Sequence, residues 1–323
     1  MLVSPPLDFG KHFDIAAASS AGVGVGTADR LENQDNFVLI DAGGRAVFLE
    51  GEQLHEVQLS DWPAGHIRLA VLDGMGGHGH GREAAEAVVA GLLGMPACDN
   101  LPTLSAYLDA LHSRLQASFA SLDGAGAPLR RPGTTLTLLE IAPFEAPLLY
   151  HVGDSRLYEI KHDGVAALTV DHVPATAFAM AGVLQAEEWW QQVHGEHRSQ
   201  IAQAFLLGNA FADPAVLTDA LYPLTRERLP PFLRHLPDRR ALALRSDAMY
   251  LLASDGFWAC AAPRPWIERW PALLAHCTDA DAALHALFAG MEALPLEALH
   301  IDNLTAIIIR PLPRRDNGDD TYA

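Results

Sequence analysis

Short apolar runs punctuate the chain, and longer stretches with apolar residues at helical spacing stand between them. Residues 37–40, 67–72, 134–141, 148–152, 155–160, 249–253 and 305–309 read as strands buried on one face or both. The tight Gly153-Asp154 step between two of these runs predicts a hairpin with antiparallel pairing, and Lys161-His162-Asp163-Gly164 turns the chain again. Residues 82–93 carry Ala, Val and Leu at helical spacing and are closed by Gly94 and Pro96. Residues 104–122 align Leu104, Leu108, Leu111, Leu115 and Phe119 on one stripe, and 263–277 with 280–293 make a third helical zone, the latter behind Asp279 as a candidate N-cap. Clustered strands with helices between them predict an α+β layered domain over residues 1–313 rather than a regular βαβ alternation. Three segments depart from that framework: 41–65, an additional hairpin or loop; 174–240, rich in Pro and Trp and helical in pattern; and 314–323, a solvated tail.

Composition narrows the function classes. The 323 residues are 50% hydrophobic, ample for a large core, and the net charge is -18 with only 22 Lys plus Arg. With no basic run to serve as an electrostatic footprint, nucleic acid and anionic membrane are excluded as expected partners. Cys98, Cys260 and Cys277 are scattered without paired spacing, the first residues lack the pattern of an export signal, and no long uncharged apolar stretch occurs. A cytoplasmic protein without a membrane span is the expectation.

Candidate chemistry lies in four acidic sites, each in a Gly- or Asn-bearing turn beside an apolar run: Asn33-Gln34-Asp35, Asp73-Gly74-Met75-Gly76-Gly77-His78, Ser254-Asp255-Gly256 and Asp302-Asn303. Taken singly, each is an ordinary turn or cap aspartate. Carboxylates gathered from distant segments repel unless a cation neutralises them, so convergence of Asp73, Asp255 and Asp302 would imply bound metal. The glycines that follow Asp73 let main-chain oxygen approach such an ion, and hard divalent cations take carboxylate and carbonyl oxygens. Neither a phosphate-binding loop with Gly-Lys-Ser/Thr nor a dinucleotide fingerprint is present.

In chain order, Arg30-x-x-Asn33-Gln34-Asp35, the Asp73 to Gly81 turn, Gly133-Thr134-Thr135, Val152-Gly153-Asp154-Ser155-Arg156, Asp171-His172, Ser254-Asp255-Gly256 and Asp302-Asn303-x-Thr305 together resemble the metal-dependent serine/threonine protein phosphatases of the 2C type, particularly their bacterial members. The resemblance spans about residues 15–311. It implies two stacked antiparallel sheets flanked by helices, an α-β-β-α sandwich, with a dinuclear Mn²⁺ or Mg²⁺ centre at one end. By position, Asp73 would bridge the metals, the Gly74 carbonyl would bind one, and Asp255 with Asp302 the other. Asp35 would hold metal-bound water, and Asp154 either binds a third, weaker ion or is a plain turn aspartate. Arg30 would grip substrate phosphate with its planar fork of donors, unless it is an ordinary surface arginine.

The implied reaction is hydrolysis of phosphoserine or phosphothreonine by a water bridging two ions, without a phosphoenzyme. That suits a chain in which no cysteine has an arginine six residues downstream. A histidine that some relatives carry two residues after the bridging aspartate is here Met75, leaving His78 to protonate the leaving oxygen directly, to act through water, or to orient a carboxylate. Gln34 stands where Glu is frequent, and the sequence after Asp171-His172 departs from the usual flap. There Trp189-Trp190, His194 and His197 read as core packing and a solvated loop, and substrate choice is expected to lie in the adjoining segment. The expected partner is a phosphorylated protein in signalling, opposing a Ser/Thr kinase. The alternatives are a catalytically impaired binding module on the same fold and a hydrolase of small phosphate esters.

Overall fold

The computed structural model describes residues 1–22, 32–75, 80–122, 131–196, 198, 200–211, 216–295, 299–300 and 302–313. Because successive side chains on a strand point to opposite faces, continuous apolar runs such as Asn36–Ile40 and Leu304–Pro311 must be covered on both sides. Phe37, Leu39, Ile307 and Ile309 face one buried layer, while Val38, Ile40, Ala306 and Ile308 face two others.

These layers are an α-β-β-α sandwich built on two antiparallel sheets. One has the order Leu2–Val3, Phe13–Ser20, Leu304–Pro311, Met249–Ala253, Arg156–Lys161, Gly164–Ala167. The other runs Arg239–Ala241, Leu148–Val152, Leu136–Ile141, Ile67–Leu72, Asn36–Ile40, Arg45–Glu50, Gln53–Gln58. Between them lies the central core of Phe37, Leu69, Leu139, Leu157, Leu252 and Ile307. Helices His80–Leu93 and Leu101–Leu122 cover the outside of the second sheet, and Ala280–Glu292 covers the first. Asp279 caps the last helix by accepting from the Ala282 N–H at 2.7 Å, as its position predicted. Among the described residues no helix is long and apolar enough to cross a membrane.

Several expectations change. Gly153-Asp154 is not a hairpin: Leu148–Val152 belongs to one sheet and Arg156–Lys161 to the other, so the turn is the crossover between layers. Gly153 has φ +116°, and a Cβ there would stand 2.6 Å from the Thr135 side chain, so the corner folds against a neighbouring strand rather than back on itself. The following turn does make a hairpin, with Lys161 paired to Gly164. Segment 41–65 supplies the hairpin Arg45–Glu50 and Gln53–Gln58 at a sheet edge. The helical zone 263–277 is split into Pro263–Ile267 and Trp270–Leu274 because Pro271 has no N–H to continue the first helix. Segment 174–240 is less helical than expected; its short helices Pro174–Met180 and Ala186–Trp190, the wide turn Gln191–Gly195 and irregular proline-bearing chain enclose a separate small core around Trp189, Leu224 and Leu233.

Candidate metal centre

Antiparallel neighbours place one strand's exit beside the next strand's entry. Asp73 follows Ile67–Leu72, Asp35 precedes Asn36–Ile40, and Asn36 pairs with Leu72. In the other sheet Asp255 follows Met249–Ala253, Asp302 precedes Leu304–Pro311, and Ala253 pairs with Ala306. Asp154 sits on the crossover between the sheets. Five aspartates from distant segments thus meet at one end of the sandwich.

Burial raises the pKa of each of these acids, and mutual repulsion adds to it at Asp35, Asp73, Asp154 and Asp255. Asp73 has its pKa pushed well above the usual carboxylate range by burial and then by the charges of Asp255, Asp35, Asp302 and Asp154. Asp255 is pushed well up by burial and by the charges of Asp302 and Asp154. Asp302 is raised by burial, opposed by the Asn303 N–H that it accepts at 2.9 Å. Burial lifts Asp35 to about 7 despite the hydroxyl of Ser254, and Asp154 to about 7, with Asp171 adding repulsion and Arg156 opposing it.

Buried carboxylates that repel one another need either a proton or a cation between them. The donors around Asp73 are oxygens, the set preferred by hard divalent ions. Among the described residues no group of three or more His, Cys, Asp or Glu is close enough, as placed, to hold a metal ion. Gly74 lies against this group, so tightly that a Cβ would stand 2.4 Å from the carbonyl oxygens of both Gln34 and Gly81. Of the predicted site residues, Asp35, Asp73, Gly74, Asp154, Asp255 and Asp302 are therefore brought together; Arg30 and His78 lie outside the described residues, as does His197.

No family model matches the chain. The serine/threonine protein phosphatase PstP of Mycobacterium tuberculosis is 32% identical over 125 residues, 39% of this chain, and the chain spans about a quarter (24%) of the length of this curated relative. Among solved structures, the M. tuberculosis serine/threonine phosphatase PstP/Ppp is similar with TM-score 0.60 and 23% identity over 94% of this chain and 100% of that one. The S. agalactiae serine/threonine phosphatase gives TM-score 0.62 and 19% identity, covering 92% and 98%. The catalytic domain of PstP in complex with two manganese ions gives 0.57 and 22%, covering 94% and 99%. The chain has the 2C-type phosphatase fold.

Within that phosphatase fold, sequence reasoning missed the groups that hold the acids in place. Ser254 donates to Asp35 at 2.6 Å and accepts the Thr305 N–H at 3.0 Å. Thr135 accepts the Asp73 N–H at 2.9 Å and contacts the Ser155 hydroxyl at 2.6 Å. Asn303 accepts the Gln34 N–H at 2.9 Å and donates to the carbonyls of Ala21 and Glu32, fastening the loop that delivers Asp35. Arg156 makes a forked pair with Asp171, with contacts of 2.7 to 3.1 Å, donates to the Val193 carbonyl at 2.7 Å, and stacks over Trp258 at 4.4 Å. The Asp171-His172 dipeptide was visible as a motif, but its latch function was not. His172 accepts from the Gly153 N–H and from Gln203, which binds the crossover turn to the segment behind it. Trp189 is core, as read from the sequence, and donates to Thr176; Trp190 is 47% exposed, contrary to that reading.

Proposed function

We propose that the chain is a metal-dependent phosphoprotein phosphatase that hydrolyses phosphoserine and phosphothreonine. The single supporting observation is the gathering of Asp35, Asp73, Asp154, Asp255 and Asp302 at one end of the sandwich, where buried neighbouring carboxylates repel one another. Asp73, Asp255, Asp302 and the Gly74 carbonyl are the proposed ligands of two Mn²⁺ or Mg²⁺ ions, with Asp154 a ligand of a third. When bound, those ions would supply Lewis acidity and make a water molecule nucleophilic at neutral pH.

The chain's own groups would do the rest. Asp35, fixed by Ser254, accepts a hydrogen bond from the attacking water and orients it. Arg30 donates its guanidinium N–H groups to the phosphoryl oxygens. As the new O–P bond forms and the P–Oγ bond breaks, His78 gives a proton to the departing Ser or Thr oxygen, directly or through water. Arg30 and His78 take these roles from their places in the sequence motifs.

The substrate is read as a phosphorylated protein, the opposing reaction as a Ser/Thr kinase's, and the setting as a reducing cytoplasm, in keeping with free thiols at Cys98, Cys260 and Cys277. Hydrolysis of a phosphothreonine peptide should require added Mn²⁺ and should vanish in Asp73→Asn. Equal turnover in parent and variant defeats the assignment, and retained metal binding without turnover leaves a non-catalytic binding module.

A further inference from the structure

The turn Gln191–Gly195 walls two hollows. One, of about 100 Å³, adjoins Asp154 and Asp255 and is bounded by Val193, whose carbonyl is held by Arg156. The other is a groove of about 1020 Å³, and Gln192 lines both. The groove has an apolar side formed by Trp190, Val165 and Ile267. Its acidic rim carries Asp163, Glu187, Glu188 and Glu268. Among the described lining residues the basic side chain is Arg264, already paired with Glu268 at 2.8 Å. Asp163 meets His162 at 3.9 Å and Glu188 accepts the Gln185 N–H at 2.9 Å, so among the described lining residues no Lys or Arg offsets Asp163, Glu187 and Glu188. Trp190 packs on His194 at a ring separation of 4.3 Å and remains 47% exposed.

An exposed indole beside several carboxylates is suited to a cation carried on an apolar stem. The ring face attracts an ammonium or guanidinium, the carboxylates add Coulomb attraction, and Val165 and Ile267 receive the methylenes. We propose that this groove docks a stretch of the substrate protein rich in Arg or Lys and Leu, separate from its phosphorylated residue. The occupant's identity as substrate rests on the phosphatase reading, whereas the groove's preference for a basic apolar segment does not. Tethering there raises the local concentration of phosphate beside Asp154 and Asp255, so it acts on KM rather than kcat.

The test uses the full chain and a synthetic dodecapeptide of arginine and leucine. Calorimetry should detect binding without metal or turnover, and Glu187→Lys or Trp190→Ala should each weaken it about tenfold. A phosphothreonine peptide extended by that dodecapeptide should have a lower KM than the unextended peptide, and Glu187→Lys should erase the difference while turnover of a small phosphate ester stays unchanged. Binding equal in parent and variants, or equal for a glutamate-and-leucine peptide, overturns the proposal, as does a self-dimer that Glu187→Lys dissolves. Peptide binding that persists without any phosphopeptide turnover sinks the catalytic reading and leaves the groove's assignment standing. Turnover with no benefit from the extension does the reverse.

Discussion

Ser254 donates its hydroxyl to Asp35 across 2.6 Å, linking an acid that begins a strand of one sheet to the exit of a strand in the other. The same oxygen accepts the Thr305 N–H at 3.0 Å, and Ser19 reaches Thr305 at 2.7 Å. One hydroxyl therefore sets both the direction of Asp35 and the spacing of the two sheet ends. Ser254→Ala removes a donor to a carboxylate and leaves a buried N–H short of one partner, which costs about 1–3 kcal/mol of stability. Its effect on turnover should be larger than on folding, about 10- to 100-fold in kcat or metal affinity, the usual cost of losing a group that orients a ligand. Steady-state kinetics across a Mn²⁺ titration, with urea melts of the same proteins, check this; unchanged kcat with lowered stability would reduce Ser254 to a packing residue.

Asp73 makes the opposite trade. It sits among four other acids whose charges raise its pKa, so in metal-free protein its carboxylate is repelled by its surroundings. Asp73→Asn should melt higher than the parent without metal, by about 2–4 °C for each roughly 1 kcal/mol relieved in a large domain. Mn²⁺ at about 100 times its Kd should stabilise the parent by about 2.7 kcal/mol and the variant much less. Differential scanning calorimetry with and without Mn²⁺ reads both effects. A variant less stable than the parent in chelator, with an undiminished metal response, would show that Asp73 is not a ligand.

The Arg156–Asp171 pair links the crossover strand to the segment that bounds the hollow near Asp154. Both side chains are buried, at 2% and 4% exposure. Removing one partner leaves a charge stranded away from water, so Asp171→Leu or Arg156→Met alone should cost about 3–5 kcal/mol. Arg156→Met combined with Asp171→Leu should recover much of that loss, because no charge is left unpaired. Denaturant melts of the two singles and the double give the coupling energy; additive losses would mean that the pair contributes nothing as a pair.

How much of the fold and the site is legible in the sequence depends on whether a residue's address or its partner is at issue. Asp35, Asp73, Asp255 and Asp302 border apolar runs, so the patterning of those runs is enough to locate them at strand ends. The sheet to which each strand belongs is not legible. Val152-Gly153-Asp154-Ser155-Arg156 has the local look of a hairpin, yet Arg156–Lys161 pairs with Met249–Ala253, and remote pairing, not turn chemistry, decides the layer. Trp189 and Trp190 are adjacent aromatics with opposite environments, since helical rotation carries one into the core and the other to the rim of the groove. The latch between Arg156 and Asp171 is similarly hidden: the motif displays the residues, while their contact depends on how segment 171–193 folds over the first sheet.

His194 supplies a pH dependence that a solution experiment can isolate. It is 7% exposed and packs against Trp189 and Trp190, and burial, with a further contribution from Arg156, drives its pKa well below 6.5. The native state thus keeps this imidazole neutral while the unfolded chain protonates it below about pH 6.5. Unfolding then takes up a proton, so the stability associated with a neutral His194 is present above about pH 6.5 and is lost as the pH falls. The loss approaches about 1.4 kcal/mol per pH unit until the folded pKa is reached. His194→Gln retains a polar side chain without this titration, and the parent's stability relative to the variant should therefore shrink by about 1 kcal/mol between about pH 7.5 and 5.5. Working at saturating Mn²⁺ in both proteins keeps the aspartate cluster from contributing its own titration to the difference. A gap that stays constant over that range would mean that His194 takes up its proton without leaving the fold.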